Sequence, residues 1–141
     1  MKRNKPEIVI HSRKSPLTRK EIELFVRKIY KRLPQLRNIS LSIAVIDDIK
    51  MKEINLRFKG RNSSTDVLSF FYTEPFPLGE VIISGDQSYK NARRYKSSAR
   101  KEFLMYLIHG ILHILGYNDS QEGEKKKMFY LQKKILEEIE I

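Results

Sequence analysis

His109-Gly110-Ile111-Leu112-His113-Ile114-Leu115-Gly116-Tyr117-Asn118-Asp119-Ser120 is the stretch around which the chain is organised. The run before it, Phe103 to Ile108, is apolar and free of Gly and Pro, so it reads as a helix continuing into the histidines. Residues four apart lie one above the other on a helix face. Two imidazoles at that spacing can share one cation. Gly116 supplies a left-handed C-terminal stop. The turn beyond it delivers the carboxylate of Asp119. His109, His113 and Asp119 together make a three-ligand set with an open position, the pattern of catalytic zinc rather than of a closed structural site.

The residue after the first histidine is Gly110. In the metallopeptidase motif His-Glu-x-x-His that position carries the general base. A peptidase of that kind lacks its base here. Other readings of the same residues stay open. Two histidines on an apolar helix also suit a core in which they bond backbone carbonyls. Asp119 also suits the N-cap of the next helix, because Asp119-Ser120-Gln121-Glu122 fits a capping box. Ser120 or Asn118 can take either job in its place.

Outward from this stretch, the chain of 141 residues is expected to be one domain, 1–141, with a polar and flexible start at 1–6. Its 32% charged and 40% hydrophobic residues are ordinary for a globular protein. The absence of cysteine excludes disulfides and thiolate metal sites. No apolar run approaches the roughly 20 residues of a membrane span. The basic N-terminus has no apolar stretch behind it, so no secretory signal is expected and the cytoplasm is the expected compartment. Lys and Arg number 28 against 17 Asp and Glu, a net charge of +11. An excess of this size attracts polyanions, above all nucleic acid.

The remaining elements are read in order. Glu7 to His11 is a short β-branched strand, with His11 structural or exposed rather than a ligand. Thr18 and Glu21 form a capping box for a helix from Arg19 to about Arg32, whose apolar face is Ile22, Phe25, Val26, Ile29 and Tyr30. Its outer face carries Arg19, Lys20, Arg27, Lys28 and Lys31, and their common sign suggests phosphate contacts. Leu33-Pro34 ends it. Ile39 to Ile46 is a strand. Asp47-Asp48 caps a helix to about Phe58. Thr65 to Phe71 and Glu80 to Ser84 are strands joined as a hairpin. Gln87 to Arg94, Ala99 to Leu115 and Gln121 to Glu138 are helices, the middle one central and mostly buried. The fold class is α+β, a sheet of about four strands with helices packed against it.

The sequence from about Ile54 to Ser120 resembles the YbeY family, bacterial metal-dependent endoribonucleases also called rRNA maturation factors. The family signature is His-Gly-x-Leu-His-Leu-x-Gly-Tyr-Asp-His, matched from His109 onward. Thr65-Asp66-Val67-Leu68-Ser69-Phe70 resembles the second family motif. Leu78 to Ser84 resembles the third, with Glu80 where the family usually has Asp. Two departures stand out. The family's third ligand is a histidine six residues after the second, where this chain has Asp119. The family arginine of an Asn-x-x-Tyr-Arg stretch is replaced by Lys59, with Asn55 and Phe58 matching its neighbours.

The resemblance implies an endoribonuclease acting on single-stranded RNA in rRNA maturation, at the 3′ end of the small-subunit rRNA, and in ribosome quality control. It implies one divalent ion, zinc in the first instance, on His109, His113 and Asp119. A carboxylate ligand hardens the site and also suits manganese or iron. Lys59 is the expected catalytic cation, keeping the charge of an arginine without its bidentate fork. The expected partners are rRNA, the small ribosomal subunit and ribosome-associated proteins, with no DNA and no membrane. The Arg93-Arg94-Tyr95-Lys96 segment is expected to track RNA, and Tyr72, Tyr95 and Tyr117 are stacking candidates, although Tyr117 is expected to pack in its turn. No general acid or base is evident. An RNA-binding assembly factor with a structural metal, and another metal-dependent hydrolase, are the competing readings.

Overall fold

The computed structural model describes residues 5–140, so the expected flexible start lies largely outside the described residues. Strands β1 (Glu7–Ile10), β2 (Ser40–Ile46), β3 (Val67–Tyr72) and β4 (Leu78–Ser84) and helices α1 (Arg19–Arg32), α2 (Asp48–Lys59), α3 (Gly85–Arg94), α4 (Ala99–Ile114) and α5 (Glu122–Ile139) follow in the order β1-α1-β2-α2-β3-β4-α3-α4-α5. The strands form one mixed sheet in the order β1-β2-β4-β3. β1, β2 and β4 run parallel, and β3 pairs antiparallel with β4 as the expected hairpin. The α+β class read from the sequence holds. No helix among the described residues is long and apolar enough to cross a membrane.

Local chemistry accounts for most boundaries. The capping box at Thr18 and Glu21 is formed in both directions, at 3.2 and 2.9 Å. Asp47 caps α2 through the N–H of Lys50, and Ser98 caps α4 through the N–H of Lys101. Gly60 ends α2 with φ of 71°, a conformation in which a Cβ would be strained. A 3-10 turn at Pro34–Asn38 follows α1 and was not expected. His11 lies just past β1 and is exposed, though its N–H still donates to the Val45 carbonyl. β4 begins two residues before the expected Glu80. Pro75, Pro77 and Gly79 read as a turn, but Gly79 belongs to the strand because Ile114 of α4 rests on it. A Cβ at Gly79 would lie 2.7 Å from Ile114 Cδ1.

α4 is the keystone. Phe103, Leu104, Leu107, Ile108, Ile111 and Leu112 have no accessible surface, so the helix is enclosed on nearly every side. One flank lies on β3 and β4, and α5 packs on the other. Ile43, Val45, Val81 and Ile83 of the sheet share its core with Met128, Ile135 and Ile139 of α5. Each such side chain contributes about 1.5–3 kcal/mol by its removal from water. A smaller cluster on the opposite sheet face joins Met51 of α2 to Ile46, Leu68 and Ile82. The basic face of α1 is partly spent on structure. Lys28 Nζ donates to the Ile139 carbonyl, and Arg32 pairs with Glu138, fastening the end of α5.

Candidate metal centre and its cleft

His109 and His113 project from the last two turns of α4, half-buried, with Nε2 atoms 3.0 Å apart and ring planes at 78°. Their other nitrogens are both engaged. His113 Nδ1 lies 3.1 Å from the Tyr117 carbonyl, and His109 Nδ1 lies 2.9 Å from Gln132 Oε1. A carbonyl oxygen only accepts, so in each ring the proton sits on Nδ1. Both Nε2 lone pairs then face one another. Two lone pairs at that distance repel unless a cation stands between them, which is the donor arrangement of a histidine pair held for a metal. Burial lowers the His113 pKa below its usual value, with the neighbouring His109 adding to the effect and Asp119 opposing it. The neutral, metal-binding form is thereby favoured.

The turn after α4 brings the carboxylate. Gly116 takes φ of 101°, its N–H donates to the His113 carbonyl, and the Tyr117 N–H donates to that of Leu112. This reversal aims the Tyr117 carbonyl back at His113. Asp119 Oδ2 lies 3.6 Å from His113 Nε2 and 3.8 Å from His109 Nε2. One ligand atom from each of the three residues falls within 4.8 Å of the other two, so the group can hold one ion. Asp119 is not the cap of α5: that position is Gln121, which makes no side-chain capping bond. Asn118 and Ser120 bond each other instead, through Asn118 Oδ1. Tyr117 does not pack as expected. Its ring is exposed, because the turn uses its carbonyl rather than its side chain.

Gly110 is explained by packing. A Cβ there would lie 2.7 Å from Val81 Cγ1 and 2.9 Å from Ser69 Oγ, and Ser69 Oγ donates to the Gly110 carbonyl at 2.9 Å. The helix meets the sheet at this point, so position 110 has no room for the glutamate of a peptidase.

A cleft of about 470 Å³ opens beside the histidines, and Lys59, Thr65, Ser69 and Phe71 are among the residues that line it together with His109 and His113. An adjoining hollow of about 390 Å³ brings Lys59 and Arg61 to the same space as His113 and Asp119. Lys59 borders both hollows, with its ammonium 5.5 Å from the Phe70 ring centroid. The 60–65 loop is anchored from below. Buried Asn55 donates through Nδ2 to the Ser63 carbonyl, and Ser64 Oγ donates to Asp48 Oδ1. Asp48 also accepts from Ser84, Gln87 and Lys90. Burial alone would raise its pKa, but these four donors outweigh it and hold the carboxyl at about 2.

The sequence offers Asp48 only as part of the α2 cap, a job that falls to Asp47 alone, and Gln132 is not among the residues read above. Gln132 did leave a signal: it is the polar member of the stripe Met128, Gln132, Ile135, Ile139 that faces the core. His11 lies outside the group, and Tyr72 and Tyr95 are exposed.

Comparison with known proteins follows the same outline. The family model described as Endoribonuclease YbeY matches residues 7–140. A curated Endoribonuclease YbeY from Persephonella marina is 40% identical over 130 residues, 87% of this chain and 84% of the relative. One from Aquifex aeolicus is 33% identical, covering 91% and 87%. The solution structure of a Thermotoga maritima protein superposes with a TM-score of 0.70 at 29% identity, covering 95% of this chain and 88% of that one.

Proposed function

Since this chain belongs to the YbeY endoribonuclease family, we propose that it cleaves unpaired RNA at a site where His109, His113 and Asp119 hold one divalent ion and Lys59 serves as the phosphate-directed cation. Its named relatives are endoribonucleases, so RNA is the substrate class and the phosphodiester bond the point of attack. The observation that carries the metal reading is the pair of opposed Nε2 atoms at 3.0 Å, each ring fixed through Nδ1. A bound ion would supply Lewis acidity toward the phosphate and acidify a water nearby.

The residues of the chain do the rest. Gln132 and the Tyr117 carbonyl keep the imidazoles in the ligand tautomer. Asp119 brings the only negative charge of the set and comes from an exposed turn. Zinc and manganese both accept such a His₂-carboxylate group, with zinc the first choice. Lys59, at the mouth of the cleft, attracts the phosphate and offsets the charge that grows on it in the transition state. Asp48 and Asn55 hold the loop that follows Lys59. The net charge of +11 favours long RNA chains over small phosphodiesters. Maturation of the small-subunit rRNA 3′ end is the cellular role that suits this chemistry.

Elemental analysis of the wild type and His113→Ala, with cleavage and binding of a single-stranded RNA measured on both, tests the proposal. About one equivalent of metal in the wild type should disappear in the variant together with cleavage, while RNA binding persists. Cleavage that survives without metal would overturn it.

A further inference from the structure

β3 is the outer strand of the sheet, and the cleft runs along its open side. The Ser84 N–H donates to the Asp66 carbonyl at 2.9 Å, which makes Asp66 and Ser84 a hydrogen-bonded pair. The antiparallel register then alternates. Leu68, Phe70 and Tyr72 turn their main-chain groups to β4, and Ser69 and Phe71 turn theirs to the open edge. Val67 and Ser69 meet Gly110 on the α4 face of the sheet, so Phe71 shares that face with the helix that carries the histidines.

Phe71 is unusual there. Its cross-strand partner is Gly79, which has no side chain to cover it, and the residue is 46% exposed and lines the same cleft as His109, His113 and Ile114. A phenylalanine on a sheet edge is ordinarily covered by a neighbour or replaced by a charged residue, since open apolar edges invite aggregation. The cations at hand, Lys59 and Arg61, select an anionic strand over an extended peptide.

We propose that Phe71 is the stacking platform for one unpaired nucleobase beside the cleaved phosphate, with the open main-chain groups of Ser69 and Phe71 facing the adjoining ribose. The inference rests on the RNA-cleaving reading of the same site and names how that site would choose its substrate. A base held in a duplex has no free face to lay on Phe71, so the ring selects for unpaired RNA. Base-on-aromatic stacking strengthens single-strand binding by about tenfold or more per base. Phe71 acts on binding and specificity and takes no part in the chemical step.

The test uses a 12-nucleotide single-stranded RNA carrying 2-aminopurine at one position in turn, bound to wild type, Phe71→Ala and Phe71→Trp. Affinity is read by anisotropy and stacking by fluorescence quenching, and cleavage is followed separately. Wild type and Phe71→Trp should quench at one or two positions, and a duplex of the same sequence should not quench. Phe71→Ala should lose the quenching and bind about tenfold more weakly, with KM raised and kcat changed much less. Far-UV circular dichroism checks the alanine variant, and quenching by the tryptophan variant stands as the independent readout. Equal affinity and equal quenching in Phe71→Ala overturn the proposal and leave the open edge free for an extended peptide. Quenching without any cleavage by the wild type would instead sink the nuclease reading and leave the platform standing.

Discussion

Gly110 and Val81 touch so closely that a methyl group on Gly110 would lie 2.7 Å from Val81 Cγ1. Ser69 Oγ and Val67 Cγ2 close the same spot at 2.9 and 3.2 Å. Replacing Gly110 with Ala should therefore destabilise the fold by about 1–3 kcal/mol, despite the better helix propensity of alanine. Urea denaturation measures it. A Gly110→Ala protein as stable as wild type would show that α4 lifts off the sheet at no cost. Gly110→Glu should fail to fold rather than gain peptidase activity.

Asp119 is the candidate ligand that comes from a turn rather than from the helix. Asp119→Ala should lower metal content and cleavage together while leaving the melting temperature of the metal-free protein within a few degrees, because the carboxylate caps no helix. Asp119→His should retain the metal. Full metal occupancy in Asp119→Ala would remove Asp119 from the ligand set.

Gln132 fixes the His109 ring from α5, 23 residues away in sequence. Losing a partner of this kind weakens metal binding by about 10–100-fold. Gln132→Leu should show that loss in a chelator competition. Gln132→Glu, which also accepts from Nδ1, should bind at least as tightly as wild type. An unchanged affinity in the leucine variant would mean that the ring is oriented by packing alone.

Lys59→Ala should lower kcat by about tenfold or more, since a cation near the transition-state charge is removed. Lys59→Arg should retain activity or raise it, because a guanidinium grips two phosphate oxygens at once. Single-turnover cleavage separates this from weaker binding. An alanine variant with unchanged kcat would return Lys59 to the solvent-facing end of α2.

Asp48 gives the fold a pH signature. Its carboxyl titrates at about 2 in the folded chain against 3.8 unfolded. The charged form is the one its donors stabilise, so the contribution is fully present above pH 4 and fades as the pH falls toward 2. It amounts to about 2 kcal/mol. Asp48→Asn should be less stable than wild type by that order at pH 7, and the two should converge near pH 2. A constant gap across that range would assign the loss to geometry instead of charge.

The site was legible in the sequence where it is local and dim where it is not. His109 and His113 are four residues apart on one helix, so helical geometry alone joins them. Asp119 follows after one glycine turn, and three candidates for its role were separated only when Asn118 and Ser120 were found bonded to each other. Gln132 and Asp48 depend on contacts 23 and up to 42 residues away, which no local pattern carries. The helix ends were readable because Thr18, Asp47, Ser98 and Gly60 act on their own neighbours. β4 was cut short because Gly79 looks like a turn residue until Ile114 is seen lying on it. Tyr117 was expected inside because apolar bodies are usually buried, but its main chain was the part in use.

Gly79 and Gly110 are two bare places in the contact between α4 and the sheet, filled by Ile114 on one side and by Val81 and Ser69 on the other. They work like a key and its keyway. A helix laid on a smooth apolar floor can slip or roll through small angles at little cost, whereas one seated in two notches has a single azimuth. The direction in which both imidazoles point is thus set from beneath, by Gly79, Val81 and Gly110 as much as by the Ser69 and Ile114 that also line the cleft. Aim, in this molecule, is a property of the floor beneath the helix, and a change of a single methyl group there would be felt as a mis-sighted pair of imidazoles above.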